Sequence, residues 1–290
     1  MLHLIHNPVA GRGRSRDAAR RVVERLDASG VESRVWTTER PGHATRLTEA
    51  LPGDATVVAI GGDGTLHEVA RTCVGTDRIV GVVPVGSGDD FAYALGLPRG
   101  RIEPAVAALL GGSIRTVDTG VCNGEPFFNA MGAGFDAEVG ALVNQAPAGL
   151  SGLTGYLWAV FIALRNLSPA HARIEMDGRL VHDGPCLLAS CLNGPRTGGS
   201  FLFAPAARLD DGLLELVYAG PLTRAGTVAL LPRVMMGRHF GHPQVHHVRG
   251  TKVRMEWQVP QSWHTEGEVS PRADAFDIEV RTASLRVLAP

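Results

Sequence analysis

Lysine is almost missing from this sequence: Lys252 is the only one among 28 basic residues. No GxxxxGK[ST] phosphate loop, with its obligatory lysine, can therefore exist in the chain. The basic residues face 29 acidic ones, for a net charge of -1. No global basic field draws the protein to nucleic acid or to anionic lipid. Cysteine is scarce too. Cys73, Cys122, Cys186 and Cys191 form no CxxC pair, and no Cys/His cluster has zinc-finger spacing, so they read as buried free thiols in a reducing compartment. Long hydrophobic runs are absent. The longest, Tyr156 to Leu164, falls short of the roughly 18–20 residues needed to cross a bilayer. The opening MLHLIHNPVAG has neither the basic nor the apolar segment of a secretory signal. These absences lead us to expect a soluble, cytoplasmic protein. The eleven histidines include the pair His246-His247, but adjacent residues of a strand point to opposite faces, which makes a poor chelate.

What is present is enough apolar side chain (44% of 290 residues) for a large core, and enough length for two domains. The first part alternates short β-like runs with helical patterns. LHLIH, VESRVWT, TVVAI and IVGVVP read as strands; Ser15–Ser29, HATRLTEAL and segments from Leu66, Asp90 and Glu103 read as helices. That alternation predicts a parallel sheet flanked by helices. Beyond residue 118 the pattern turns mainly to strands: RIEMDGRLVHD as a hairpin turning at Asp177-Gly178, then CLLASCLN, GLLELVYA, TKVRMEW, FDIEV and SLRVLAP. Only Leu153–Leu167 and Thr223–Gly237 carry helical periodicity there. We therefore expect an α/β domain over residues 1–118 and a β-rich domain over 119–290, with the last strand able to return to the first domain.

Two glycine-rich loops follow consecutive strands. In GGDGTLHEV, Gly61-Gly62-Asp63-Gly64 leads from a strand to a helix, and Thr65 with Glu68 has capping-box spacing. Loops at the C-terminal ends of parallel strands are where open α/β sheets bind ligands, and the N–H groups of a helix start favour an anion. A carboxylate beside a bound phosphate needs a cation between them. Asp63 thus implies Mg²⁺, unless it only shapes the turn. PVGSGDDFA repeats the strand-loop-helix arrangement, with Gly86, Ser87 and Gly88 as donors. The two loops are expected to face each other across a crevice.

Taken in order, NPVAG at Asn7, TTERPGHA with Thr38 and Gly42, GGDGTLHEV, PVGSGDDFA, VDTG at Asp118, GFDAEV, LDDGLLEL and TEGEV resemble the diacylglycerol kinase catalytic-domain family. That family includes bacterial lipid kinases and sphingosine kinases and is distantly related to NAD kinases. The resemblance implies a NAD-kinase-like α/β domain followed by a β-sandwich. It implies phosphorylation of a lipid hydroxyl, such as that of diacylglycerol, with ATP and Mg²⁺. Asn7, Thr38, Gly61, Gly62, Asp63, Gly64, Thr65, Leu66, His67 and Ser87 would contact the nucleotide, and Asp63 would organise its phosphates and the catalytic magnesium. A second, structural Mg²⁺ would be held by the Asp211 carboxylate and the carbonyls of Arg208 and Leu213; an ordinary turn is the alternative. Glu268 would be the general base. Glu266 stands where relatives usually carry Asp, and Asp89 where many carry Asn. Asp136 would hold a polar head group or cap a helix. Arg12, Arg14 and Arg16 would touch phosphates or simply be a solvated helix start. The apolar helix Tyr156–Leu164 would pack into the core or form a lip touching the bilayer. A kinase of a soluble nucleotide such as NAD, and a lipid- or nucleotide-binding protein without turnover, are the competing readings. A membrane-lipid alcohol and ATP are the expected partners, with peripheral membrane contact, no nucleic acid, and a homodimer compatible with everything above.

Overall fold

The computed structural model describes residues 1–143, 145–147, 149–150, 153–165 and 168–290. The chain divides into two compact units. One comprises Met1–Thr119, Leu209–Asp211 and Arg281–Pro290; the other comprises Gly120–Arg208 and Gly212–Val280.

In the first unit, β1 (Leu2–His6), α1 (Arg14–Ala28), β2 (Ser33–Thr37), α2 (His43–Glu49), β3 (Thr56–Gly61), α3 (Asp63–Ala70), β4 (Ile79–Pro84), α4 (Asp90–Ala94) and α5 (Ile102–Gly111) follow one another, and β5 (Ser113–Cys122) leads out. The strands lie in the order β4-β3-β1-β2, all parallel. Arg286 and Val287, near the C-terminus, add a parallel edge beside Ile79 and Val80 of β4. β1 is buried throughout and β3 nearly so. This accounts for their continuous apolar runs, since a strand covered on both faces has no polar side to show. α1 turns Ala18, Ala19, Val22 and Leu26 inward, and Gly30 follows it at φ +70°, a conformation that ends helices cheaply only for glycine. The VDTG segment belongs to this framework. The Asp118 carboxylate accepts the Ala283 N–H (2.8 Å), and Ala283 holds the left-handed φ of +48°. The Thr119 and Ser284 hydroxyls meet at 2.9 Å.

The second unit contains β6 (Glu125–Phe127), β7 (Ala130–Gly134), α6 (Phe135–Val143), α7 (Leu153–Arg165), β8 (Ala170–Met176), β9 (Arg179–Cys186), β10 (Leu188–Leu192), β11 (Leu214–Ala219), α8 (Arg224–Met235), β12 (Val245–Gly250), β13 (Lys252–Thr265) and most of β14 (Glu268–Ala289). The order β12-β11-β10-β7-β13 is antiparallel. Early in β13, Val253 to Trp257 pair with β8; late in it, Trp263 to Thr265 pair with β7. The register shifts between Glu256 and Gln261 bend the strand between those partners, which is how one strand serves two layers of a β-sandwich. Phe127, Met131, Ile174, Leu216, Met255 and Phe276 fill the core between them. The hairpin at Asp177-Gly178 has φ of +50° and +77° at its two turn residues, the signature of a type I′ turn. FDIEV and SLRVLAP, read separately in the sequence, are one strand. Ala283 supplies the irregularity between them without ending it. All four cysteines are free and buried, and burial pushes the Cys122 and Cys186 thiols up to about 12.

Candidate active site

The two glycine loops of the first unit sit on neighbouring strands and are in direct contact. A Cβ placed on Gly86 would lie 2.5 Å from the Gly62 Cα, so both positions must be glycine for the loops to approach. No crevice separates them, and the expectation of facing loops is corrected accordingly. The reason is Asp63. Its carboxylate accepts the N–H groups of Asp89 (2.7 Å) and Asp90 (2.8 Å), clamping the start of α4 onto the first loop. The space beside that carboxylate is just as tight: a Cβ on Gly88 would come within 2.4 Å of Asp63 Oδ2. The Gly86 N–H is turned onto Asp89 Oδ1 (3.0 Å), so this expected ligand donor is used inside the loop. Ser87, by contrast, is exposed.

The local start of α3 also differs from the capping-box expectation. The helix begins at Asp63, with extended Gly62 as its cap, so Thr65 lies in the first turn and cannot be the cap. The Thr65 hydroxyl instead accepts from Asn7 Nδ2 (3.0 Å), joining NPVAG to GGDGT. Glu68 does cap, but a different helix: its two oxygens accept the N–H groups of Gly42 (2.9 Å) and Ala44 (3.0 Å) at the start of α2. Thr38 is buried, with its N–H on the His6 carbonyl (2.8 Å). Thr65, Leu66 and His67 are buried as well. Burial, with help from Arg71, lowers the His67 pKa to about 4, leaving the imidazole neutral. What these three can offer a ligand is the backbone of the first turn of α3.

The electrostatics follow from crowding three carboxylates at the loop contact. Burial, and then Asp90, raise Asp63 to about 6; burial, and then Asp63, raise Asp89 to about 7. Asp89 also holds a left-handed φ of +54°, which suits Asn or Asp better than other side chains. The donor set is all oxygen, the kind Mg²⁺ selects. Among the described residues no cluster of three or more His, Cys, Asp or Glu is already arranged around a common point. A magnesium ion held here by Asp63, with waters and substrate phosphates completing its shell, fits both facts.

In the second unit, TEGEV is the turn joining β13 to β14. Thr265 pairs with Glu268, and Glu266 and Gly267 have φ of +53° and +82°, a type I′ arrangement. Glu266 Oε1 accepts the N–H groups of Phe128 (2.8 Å), Asn129 (2.7 Å) and Ala130 (3.3 Å), so this side chain fastens the turn. Glu268 is exposed at its end. Asp136 lies in the first turn of α6. Its Oδ1 accepts the Ala137 N–H (2.9 Å) and its Oδ2 the Ser190 hydroxyl (2.7 Å). A residue that sequence reasoning missed joins these features: buried His264, whose Nε2 lies 3.5 Å from Asp136 Oδ2 and whose Nδ1 accepts the Gly267 N–H (3.2 Å). The one sequence signal for it is a histidine immediately before TEGEV. A cavity of about 610 Å³ opens nearby, lined about equally by apolar residues such as Phe135, Leu187 and Val259 and by polar ones such as Glu138, Gln258 and Arg272. In LDDGLLEL, whose Leu209–Asp211 belong to the first unit, Asp210 pairs with Arg115 (3.2 Å), while Asp211 is half-exposed and Gly212 has a φ of +73°.

Residues 1–122 match the family described as Diacylglycerol kinase catalytic domain, and residues 129–289 match that described as YegS C-terminal NAD kinase beta sandwich-like domain. The chain is 29% identical to a diacylglycerol kinase of Bacillus subtilis over 273 residues, covering 91% of this chain and 88% of the relative. It is 30% identical to a diacylglycerol kinase of Mycobacterium tuberculosis over 292 residues, covering 98% and 93%. The crystal structure of a diacylglycerol kinase from Bacillus anthracis superposes with a TM-score of 0.75 at 19% identity, covering 100% of this chain and 96% of that one, a likeness of fold.

Proposed function

The chain belongs to the diacylglycerol kinase catalytic-domain family of lipid kinases, and from that premise we propose that it transfers the γ-phosphoryl group of ATP to the hydroxyl of a membrane lipid such as diacylglycerol. The observation that carries the nucleotide half of this proposal is the Asp63 carboxylate, set between two glycine loops at the N-terminus of α3. The first-turn N–H groups of α3 have no acceptor within the helix and receive phosphate oxygens. Magnesium, when bound beside Asp63, neutralises the phosphate charge that this carboxylate would otherwise repel. Asn7 fixes the first turn of α3 through Thr65, and the exposed Ser87 hydroxyl and the segment at Thr38 complete the nucleotide contacts. Glu268, exposed beside the turn, accepts the proton of the attacking lipid hydroxyl. The Arg208, Asp211 and Leu213 turn holds a second, structural magnesium.

The lipid half is supported by one feature of the second unit, the exposed face of α7. On α7, Ala159, Val160, Ala163 and Leu164 are buried while Leu157 and Phe161, one turn apart, are exposed. That helix thus packs into the core and also offers an apolar strip for reversible contact with a bilayer. No helix among the described residues is long and apolar enough to cross a membrane. Calorimetric titration with ATP, with and without Mg²⁺, tests the nucleotide site. The wild type should bind at least tenfold more tightly with Mg²⁺, and Asp63→Asn should lose that gain. Equal Mg²⁺ dependence in both proteins would contradict the assignment.

A further inference from the structure

We propose that His264 is a positioning residue for the transfer reaction, holding the turn that carries Glu268 through its Nδ1 atom; this rests on Glu268 being the proton acceptor. The turn is conformationally expensive. Both Glu266 and Gly267 adopt left-handed φ, and a non-glycine residue there costs about 1–2 kcal/mol. It persists because it is fastened at two points. The three N–H groups of Phe128, Asn129 and Ala130 hold the Glu266 carboxylate, and His264 Nδ1 holds the Gly267 N–H, the peptide group next to Glu268.

A backbone N–H can only donate, so Nδ1 is the unprotonated nitrogen and the proton lies on Nε2. That leaves the Nε2–H on the side of Asp136 Oδ2, at 3.5 Å. Asp136 is fixed in turn by the Ser190 hydroxyl and the Ala137 N–H. The Ser190 hydroxyl donates to the carboxylate and not to the imidazole, so this is no nucleophile relay. The arrangement tolerates nothing larger than glycine beneath it. Gly132 lies opposite His264 on β7, and a Cβ there would come within 2.0 Å of Asp136 Oδ2 and 2.9 Å of His264 Nε2. His264 is also buried, which shields the ring from solvent. Ser190, Asp136, His264 and Gly267 form one line of contacts ending at the base.

Two amides separate the functions of the ring. The oxygen of Asn falls near the position of Nδ1 and can accept from Gly267; the longer Gln reaches the position of Nε2 and keeps only Asp136. Displacing a reacting group by about 1 Å costs on the order of 100-fold. His264→Gln should therefore lower kcat by roughly 10–100-fold, with the KM for ATP within about twofold, while His264→Asn keeps kcat within about threefold. In the Glu268→Gln background, His264→Gln should add less than about a twofold loss, because both changes act on one group. Equal kcat in the two His264 variants, or an undiminished effect in the Glu268→Gln background, would overturn the proposal. Damaged Glu268→Gln beside intact His264→Gln refutes the positioning role alone, whereas full turnover in Glu268→Gln refutes the proton-acceptor assignment itself. Nitrogen-15 NMR of the wild-type imidazole needs no variant: the Nε2–H tautomer is expected, and the Nδ1–H tautomer would sink the idea.

Discussion

Asp63→Asn separates stability from activity in a way that depends on pH. Folding raises the Asp63 pKa from 3.8 to about 6, first through burial and then through Asp90. A carboxyl raised on folding adds stability that is fully present below its unfolded value and is lost as pH rises through the folded one. The shift of two units corresponds to at most about 3 kcal/mol, and partial exposure brings that nearer 2. Asn is neutral throughout and escapes this loss, and below pH 4, where Asp63 is itself protonated, each side chain has one carbonyl oxygen for the two N–H groups. The variant should thus match wild type to within about 1 kcal/mol below pH 4 and be more stable by about 2 kcal/mol above pH 7. Asp89, raised to about 7 partly by Asp63, relaxes in the variant and moves the balance the same way. Urea unfolding between pH 4 and 8 in the presence of a chelator measures this directly, and phosphorylation of lipid by the same protein should be lost. A stability gap that stays constant with pH would refute the burial argument. Wild-type turnover in the folded variant would refute the functional one.

Glu268→Gln should retain ATP affinity by calorimetry and lose on the order of 10²–10⁴ in single-turnover rate, since removing a general base typically costs that much. Glu266→Ala should lower stability by about 2–4 kcal/mol in denaturant melts, because three N–H groups lose their acceptor; Glu266→Gln, which keeps an oxygen, should cost far less. Asp211→Ala should lose the rise in melting temperature that Mg²⁺ gives the wild type; an undiminished rise would remove the second metal site from the account.

The parallel arrangement was legible because β3 and β4 are buried apolar runs, each followed by a glycine loop, and local pattern alone encodes that. The Asp-Gly hairpin was legible for the same reason. Glu68 was not: its spacing to Thr65 satisfies a local rule, yet its carboxylate does better at the exposed N–H groups of α2, a partner that no local pattern announces. Asp63 stands out in sequence as a carboxylate in a phosphate loop, but its bonds to Asp89 and Asp90 depend on β3 and β4 lying side by side. His264 and Glu266 depend on β13 pairing with β7 and on backbone N–H groups, which carry no signature in side-chain sequence. The single strand from Glu268 to Ala289 reads as two in the sequence, FDIEV and SLRVLAP; the Asp118 carboxylate, from another segment, accepts the Ala283 N–H between them.

Transfer of label from γ-³²P ATP tests the central claim most directly. Purified protein would be given Mg²⁺ and either mixed micelles of diacylglycerol or soluble NAD, and the label would be partitioned between organic and aqueous phases. The account predicts radioactive phospholipid in the organic phase, dependent on Mg²⁺ and abolished by Asp63→Asn. Label appearing on NAD, or ATP consumption indifferent to lipid, would contradict it.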